Sequence, residues 1–302
     1  MSSKRQPRLI QPNCHRPINW VKKAVQKALL TSGFLIAQVK EDGIRIHAWI
    51  DDADQVRVVT REGIEIRSLV SARDKLYNVL SELPDGFCVD GEVVVQGVTF
   101  EEGSGLLRTY AEIQHEVKFY LWDAFPLDAL LGAEYDVAYQ ERINTLVAAW
   151  CQDISTTGVE IIEGETVHTM QEIEEFFEDC RENGKEGAVV KCPDLPVIHG
   201  KRTGQWKMKG SETEDGIIRG LVWGTPGLGN EGLVIGFTVE LESGVLCDVT
   251  GLSKEAMRKF TDTPPLGRYV EVGYMEKTAG GSLRHPFCIQ LRDLAYSWGI
   301  KS

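Results

Sequence analysis

The residue of this chain best suited to nucleophilic chemistry is a lysine followed at once by charged neighbours. Lys40 ends the apolar run FLIAQVK, Glu41, Asp42 and Gly43 come next, and Arg45 stands two residues further on. A lysine amine attacks only when it is unprotonated, so it needs neighbouring cations or a metal ion. The pattern K-x-D-G is short enough to recur by chance. On its own it also predicts an exposed hairpin tip, because Asp-Gly is a strong hairpin signal.

Further motifs with charged or aromatic side chains follow in a fixed order. They are Thr60-Arg61, Asp90-Gly91-Glu92, YLWDAF (120–125), EGAVVK (186–191) and Trp206-Lys207-Met208-Lys209. Each has a structural explanation by itself: a turn, a core aromatic residue or a solvated strand edge. Taken together they supply what phosphoryl chemistry requires, namely cations that stabilise developing negative charge and carboxylates that can hold Mg²⁺.

The ordered motifs resemble those of the covalent nucleotidyltransferases. The chain is similar to the ATP-dependent DNA ligases, and most similar to the compact two-domain type of short-tailed bacteriophages. The likeness runs over residues 30 to 290 and includes GVTFEEGSGLLRT (97–109), DGIIRGLVWGTPGLGNEG and YMEKTAGGSLRHP. It implies an α+β fold, with an adenylation domain of antiparallel sheets flanked by helices, followed by an all-β OB-fold barrel.

The resemblance also implies a reaction and a set of roles. Lys40 would attack the α-phosphate of ATP and become lysyl-AMP; the AMP would pass to the 5′-phosphate of a nick in duplex DNA, and the adjacent 3′-OH would displace it. Mg²⁺ would be held by Glu92 and Glu186. Catalytic roles are implied for Lys40, Asp42, Arg45, Arg61, Lys207 and Lys209. Nucleotide contacts are implied for Gln38, Val39, Lys40, Arg45, Arg61, Glu92, Trp122, Glu186, Lys207, Lys209 and Arg284.

Three positions depart from the usual family pattern or need a choice. Gln38 stands where an adenine-facing polar side chain is expected. Trp122, rather than Tyr120, is the predicted stacking partner of adenine. Arg284 of SLRHP (282–286) would visit the pyrophosphate, and the R-x-D-K motif of capping enzymes is absent from the sequence.

Hydrophobic periodicity predicts the elements that must position these residues. Residues 18–30 predict a basic amphipathic helix, FLIAQVK a buried strand, and Asp42-Gly43 a hairpin turn into the strand IRIHAWI. Alternation in that strand predicts a polar face with Arg45 and His47. Further helices are predicted at 69–83, 137–151 and 169–182, and further strands at FCVDGEVVV, VKFYLWDAF, EGAVVK and QWKMK.

The pattern changes after Gly210. An acidic joint, SETED (211–215), precedes five or so short strands and one helix, which predict a small barrel such as an OB-fold. We therefore expect an adenylation domain with a basic N-terminal arm over 1–212 and an OB-fold domain over 213–302. The segment GSGLLRT (103–109) is either a loop that binds DNA or phosphate or a site of tight packing.

The charge distribution and the cysteines indicate which partners and which cellular compartment to expect. The net charge is −12, yet the first 40 residues hold eight Lys or Arg and no Asp or Glu. That asymmetry predicts either a solvated tail or an arm that meets a polyanion. The seven cysteines form no C-x-x-C pair, and no signal peptide or membrane span is evident. We expect a cytoplasmic monomer, in the host cell if it is phage-encoded, with ATP and nicked double-stranded DNA as partners.

Other functions fit the same sequence less well. An RNA ligase or an mRNA-capping type nucleotidyltransferase would use the same fold. An NAD⁺-dependent ligase lacks support, since neither its extra N-terminal domain nor its zinc-binding cysteines are found. A catalytically silent nucleic-acid-binding protein is the alternative from another class. In the ligase interpretation, the arm, the barrel and Lys201-Arg202 would hold the DNA backbone without reading its sequence.

Overall fold

The computed structural model describes residues 6–150, 158–210, 212–274, 276–277, 282–284 and 286–292. The first five residues of the basic arm, Cys151, Ser211 and most of 275–281 lie outside these ranges. The chain divides into two compact units, Met1–Met208 and Lys209–Ser302, so the division falls four residues before the boundary that the sequence predicts. In the described part, no helix is both long and apolar enough to cross a membrane.

The first unit has ten strands and six α-helices in its described residues. The strands are β1 His15–Asn19, β2 Leu35–Lys40, β3 Ile44–Ile50, β4 Val56–Thr60, β5 Phe87–Val95, β6 Val117–Pro126, β7 Val159–Ile161, β8 Glu165–Val167, β9 Gly187–Lys191 and β10 Gly200–Lys209. The helices are α1 Lys22–Ser32, α2 Tyr77–Glu82, α3 Phe100–Leu107, α4 Leu127–Leu131, α5 Tyr139–Ala149 and α6 Met170–Glu182, with 3₁₀ turns at Arg67–Leu69 and Ala72–Leu76.

These strands form two five-stranded sheets. The first sheet has the order β1-β10-β9-β2-β8, and the second has the order β4-β3-β5-β6-β7. Strand β2 therefore pairs with β8 and β9, whereas β3 pairs with β4 and β5. The predicted hairpin is wrong: Glu41-Asp42-Gly43 carries the chain from one sheet to the other, immediately after Lys40.

Gly43 is needed at this crossing because of crowding. A Cβ on Gly43 would collide with the carbonyl oxygen of Val93 and lie 2.8 Å from Cγ of Glu92. Strand β5 thus passes directly against the connection. The glycine makes room for a close backbone approach, where the sequence had suggested a hairpin turn.

The two faces of β2 belong to different cores. Leu35 and Ala37 pack with Val25 and Leu29 of α1 and with residues of α6, whereas Ile36 joins the core of the second sheet. Side chains alternate along a strand, so Lys40 shares the face of Ile36 that looks toward the second sheet.

Three predicted elements differ in detail. Helix α1 begins at Lys22 instead of 18, because Ile18 lies in β1 and pairs with Trp206 of β10. The predicted helix 69–83 is divided into 3₁₀ turns followed by α2. The segment 103–109 is mostly helix α3, where a Cβ on Gly103 would lie 3.1 Å from Cβ of Val95. This favours the tight-packing interpretation over a ligand-binding loop.

The predicted polar face of β3 is not a solvent face. His47 is completely buried and Arg45 is largely covered, because the N-terminal arm crosses this side of the second sheet. The arm is held by backbone hydrogen bonds from Leu9 N–H to Gly63 and from Asn13 N–H to Leu130.

A β-bulge interrupts the pairing of β5 with β6. Asp90 pairs with Asp123 and Gly91 with Leu121, which leaves Trp122 as the extra residue. The extra residue of a β-bulge changes the direction in which the neighbouring side chains point. Here Trp122 and Asp123 both line one small cavity although they are consecutive in a strand.

The second unit is a closed barrel of five strands, with one helix in its described part. Its core includes Phe237, Val239 and Phe260. The predicted α+β fold with an OB-fold barrel is confirmed. The elements are β11 Glu212–Trp223, β12 Val234–Leu241, β13 Leu246–Thr250, α7 Lys254–Asp262, β14 Tyr269–Tyr274 and β17 Phe287–Leu291, with the two-stranded β15 Glu276–Lys277 and β16 Leu283–Arg284.

The bulge leads to a prediction about stability. A Cβ on Gly91 would collide with the carbonyl oxygen of Tyr120 and lie 2.7 Å from Cδ2 of Leu121. We expect Gly91→Ala to lower the free energy of unfolding of the first unit by about 1–3 kcal/mol, the usual effect of overpacking. Urea denaturation measures this.

The matched control is Gly105→Ala in α3, where a Cβ has no atom within 4 Å. Removing a helical glycine should raise the free energy of unfolding by about 0.5–1 kcal/mol. Equal effects of the two substitutions would contradict the role given to the bulge.

Candidate active site

Lys40 is the last residue of β2, and its Nζ forms an ion pair with the carboxylate of Glu186. Glu186 directly precedes β9, whose first residue, Gly187, is the register partner of Lys40. The side chains of both members of the pair are largely buried, with exposed fractions of 19% and 8%. The lysine is therefore fixed at the sheet end by a charge that lies on the neighbouring strand.

Glu92 is the second carboxyl near Lys40, and it comes from the other sheet. It pairs with Arg45 across β3 and β5, and its carboxyl accepts a hydrogen bond from the Gly43 N–H. Burial raises the pKa of Glu92 to about 7; the positive charge of Lys40 opposes this rise and the negative charge of Glu186 adds to it. Two carboxyl groups thus lie near one lysine.

Arg45 makes a two-pronged ion pair with Asp90. Its Nε and Nη2 lie 2.9 and 2.6 Å from the two carboxylate oxygens, and Nη1 donates to the carbonyl of His15 at 2.7 Å. Burial alone would raise the pKa of Asp90, but the Arg45 guanidinium outweighs burial and lowers it. Arg45, which the sequence predicts to contact the nucleotide, is thus held by a buried carboxylate and by the N-terminal arm.

Two basic side chains lie close to the ring of Trp122. The Arg45 guanidinium is 5.9 Å from the ring centroid and Lys191 Nζ is 5.7 Å from it. The carbonyl of Trp122 accepts a hydrogen bond from Tyr139 Oη at 2.8 Å, and Lys191 Nζ donates to the same oxygen of Tyr139 at 3.1 Å. Burial lowers the pKa of Lys191 to about 7, with the charges of Asp123 and Asp90 opposing the shift.

A second buried ion pair supports this region. Arg142 of α5 binds both carboxylate oxygens of Asp123, at 2.8 and 2.9 Å, and also donates to the carbonyl of Leu195. Sequence reasoning missed four residues of this cluster. Lys191 and Asp123 stand inside quoted motifs, so their positions were signalled; Tyr139 and Arg142 lie on a helix without any motif.

The two residues before Lys40 point to opposite faces. Gln38 is buried, and its amide donates to the carbonyl of Ile162 and lies 3.4 Å from that of Glu163. Val39 packs on the side of α1 and α6, away from the second sheet. Any contact of Val39 with a nucleotide in the cleft would therefore involve its backbone.

Arg61 follows β4 at the edge of the second sheet. Its guanidinium pairs with Glu62 at 2.8 Å and remains half exposed. It lines an open cavity of about 260 Å³ together with Arg8 and Arg16 of the N-terminal arm. This group of three arginines is called the arginine cavity below.

The remaining predicted residues are placed as follows. Lys207 lies in β10 on the same face of the strand as Gln205, because the two are two residues apart. Gln205 lines a small cavity with Arg45 and Trp122. Asp42 lies in the connection between the sheets, beside α3. Lys209 ends β10 and opens the second unit, and Arg284 belongs to β16 in that unit.

His47 is buried beside Asp90 without a hydrogen bond. Its Nδ1 lies 3.5 Å from Asp90 Oδ1, and neither ring nitrogen has a hydrogen-bond partner among the described residues. Burial lowers its pKa to about 4, although the Asp90 charge favours protonation. The ring is therefore neutral at pH 7.

Comparison with known proteins gives consistent matches along the chain. Residues 17–209 match the family described as ATP dependent DNA ligase domain, and residues 210–267 match the DNA ligase C-terminal domain. The DNA ligase of Enterobacteria phage T3 is 34% identical in an alignment 331 positions long, which covers 92% of this chain and 95% of the T3 protein. The DNA ligase of Escherichia phage T7 is 32% identical in an alignment 346 positions long, which covers 94% of this chain and 96% of the T7 protein.

A solved structure gives the same relationship. It is described as the ATP-dependent DNA ligase from bacteriophage T7 in complex with ATP, and it is 32% identical to this chain. The match covers 93% of this chain and 98% of the other, with a TM-score of 0.60.

The burial of His47 predicts how stability depends on pH. Its pKa is about 4 in the folded chain and about 6.5 unfolded, so the unfolded chain binds the proton first as pH falls. Stability is lost below pH 6.5. We expect His47→Leu to reduce the loss of unfolding free energy between pH 7 and pH 4 by about 3 kcal/mol.

Urea denaturation of both chains at the two pH values tests this difference. The original chain loses stability for other reasons as well, so only the difference between the chains counts. Identical losses in the two chains would contradict the assignment.

Proposed function

The chain belongs to the ATP-dependent DNA ligase family, and we propose that Lys40 is the residue to which AMP from ATP becomes attached. Ligase activity follows from the family and from the T3 and T7 relatives. The observation that supports Lys40 is its setting: it ends β2, pairs with Glu186, and has Glu92 of the opposite sheet nearby.

The first step joins Lys40 to the nucleotide. The neutral amine of Lys40 forms a bond from Nζ to the α-phosphorus, and the bond from phosphorus to the pyrophosphate oxygen breaks. The ammonium of Lys40 must first give up a proton, to the carboxylate of Glu186 with which it pairs or to water, and the nitrogen loses a second proton to water once it is bound to phosphorus, while pyrophosphate leaves. The T7 relative has been solved with ATP, which supports ATP as the nucleotide of this chain.

The adenosine would lie along the second sheet. Trp122 offers an aromatic face for adenine, held through its carbonyl by Tyr139 and flanked by Arg45 and Lys191. Gln38 would meet the base from the first sheet, at the edge where its amide contacts the carbonyl of Ile162. Lys207 shares this side of β10 and would stabilise charge on the phosphates.

The donor set near Lys40 fits Mg²⁺. The ion takes one or two carboxylates and completes its shell with phosphate and water. Glu92 and Glu186 provide two carboxyl groups, one from each sheet, and burial raises the pKa of Glu92. When bound, Mg²⁺ would supply positive charge at the phosphates. No group of three or more metal-ligating side chains occurs in the described residues.

The later steps use DNA. AMP passes from Lys40 to the 5′-phosphate at a nick, and the 3′-OH of the adjacent strand then displaces AMP and closes the backbone. Arg284 would visit the pyrophosphate in the first step, and Lys209 would assist with the phosphates. We propose that the protein acts as a monomer in the cytoplasm, where ATP is available.

The arginine cavity is our proposed contact with the DNA backbone. Arg8 and Arg16 are exposed, and neither has an ion-pair partner in the part of the chain that the structure describes. Arg16 pairs in register with Lys201, so positive charge is concentrated along β1 and β10. Such a surface attracts phosphates without reading bases.

The two units would divide the work. We propose that residues 1–212 hold the nucleotide and the nucleophile, and that residues 213–302 form the barrel that helps to hold duplex DNA. The RNA ligase and capping alternatives use the same chemistry at Lys40, but the matched families and the T3 and T7 relatives are DNA ligases.

Labelling tests the nucleophile. With ATP labelled at the α-phosphate, the chain should take up label that survives denaturation, because phosphorus is bound to nitrogen. Lys40→Ala should abolish the label. Lys118→Ala is the control, since Lys118 of β6 pairs with Glu160 of the edge strand β7 and its loss should leave labelling unchanged. Full labelling of Lys40→Ala would make the assignment wrong.

Binding to nicked DNA tests the arginine cavity. Each phosphate contact adds about 0.9 to the slope of log affinity against log salt concentration. We expect Arg8→Ala with Arg16→Ala to weaken nick binding and to reduce that slope by about 2. Labelling of Lys40 in the same variant should remain normal. An unchanged slope would show that Arg8 and Arg16 do not contact the DNA backbone.

A further inference from the structure

A second ion pair lies directly beside the pair of Lys40 and Glu186. Lys185 Nζ is 2.7 Å from the carboxylate of Glu41. The two segments thus have the same order of charges, Lys40-Glu41 and Lys185-Glu186, and each lysine binds the glutamate of the other segment. Two reciprocal ion pairs join the end of β2 to the start of β9.

The strand register explains why the charges fit in this way. Lys40 is opposite Gly187 in the antiparallel pairing, which would bring Glu41 opposite Glu186 one step further on. Two directly opposed carboxylates repel each other. Each side chain instead reaches one residue past its opposite position, where it meets an opposite charge.

The surroundings favour the charged form of the second pair. The Glu41 side chain is 12% exposed and that of Lys185 is 37% exposed. Lys185 Nζ also lies 5.7 Å from the centre of the Tyr120 ring. Burial lowers the pKa of Lys185, but the hydrogen bond and the charge of Glu41 outweigh it and raise the pKa.

The two pairs have different fates in the proposed reaction. The ion pair of Lys40 with Glu186 is lost in the reaction, because Lys40 must be unprotonated to attack phosphorus and carries no positive charge once it is bound to it. Glu41 points to Lys185 and has no such task. Its ion pair can persist while the neighbouring one opens, and it then holds the strand end that carries the nucleophile.

We propose that Glu41 and Lys185 form a positioning pair, which keeps the end of β2 against the start of β9 while Lys40 loses its positive charge and bonds to the α-phosphate. This inference rests on the proposed role of Lys40. It assigns the pair to the adenylation of the lysine and to no other step. Sealing of a nick that already carries AMP does not require Lys40 to be adenylated, so it should not depend on the pair.

The expected effect is moderate. A partly exposed ion pair contributes little energy, and losing it should slow adenylation of Lys40 by about fivefold. The affinity for ATP should change little, because neither Glu41 nor Lys185 is proposed to contact the nucleotide. A change in rate at saturating ATP without a change in ATP affinity separates positioning from binding.

The experiment uses Glu41→Gln, Lys185→Met and the double variant in the full chain. Two rates are measured for each: labelling of Lys40 at saturating ATP, and sealing of a nicked duplex made with AMP already on its 5′-phosphate. The control is Glu174→Gln, which removes another Lys–Glu pair with the same 2.7 Å separation, between Lys22 of α1 and Glu174 of α6.

We expect both single variants to label about fivefold more slowly, and the double variant to be no slower than the worse single one, as for one shared interaction. Sealing of the adenylated nick and labelling of Glu174→Gln should match the original chain. Normal labelling of the single variants, additive effects in the double variant, or an equal fall in sealing would each overturn the inference. If the original chain takes no label at Lys40, the proposed function itself is wrong.

Discussion

The crossing of the chain between two sheets, immediately after Lys40, is the constraint on which the rest of the site depends. It is possible only because Gly43 allows β5 to pass directly against the connection. The proposed nucleophile therefore belongs to the first sheet, while Arg45, Glu92 and Trp122 come from the second. A cleft lined from both sides results, and a phosphate held in it could meet the amine and the opposing charges together.

The second sheet stabilises this cleft with buried charges that satisfy one another. Arg45 with Asp90 and Arg142 with Asp123 are both two-pronged pairs. Buried ion pairs contribute little net stability, because desolvation offsets the attraction. Their value here is geometric: they fix Trp122 and the surrounding backbone before any nucleotide arrives, so that less ordering is needed on binding.

The parts of the fold that follow from local sequence were predictable. The alternation in FCVDGEVVV and VKFYLWDAF matches β5 and β6, and the helical period at 169–182 matches most of α6. The hairpin prediction failed because Asp-Gly describes a turn but not the strands that pair around it. Arg45 and His47 were expected on a polar face, and only the path of the N-terminal arm explains their burial.

The site was predictable where a motif carried it and not elsewhere. Lys40, Glu92 and Glu186 were found from motifs, and the structure brings them together. Tyr139 and Arg142 were missed, because a helix without a motif gives no sign of which polar residue will be buried. The bulge at Trp122 and the pair of Glu41 with Lys185 depend on the register of two strands. No single segment contains that information.

The long separation between paired segments has a consequence for synthesis of the protein. Lys40 and Glu186 are 146 residues apart, and β1 pairs with β10 across an even longer stretch of chain. Helices such as α1 can form early on the ribosome, but the first sheet can close only after β10 has emerged. Contacts of such high sequence separation form late and slowly. The growing chain thus completes the proposed nucleophile site only at about the moment when translation reaches the barrel.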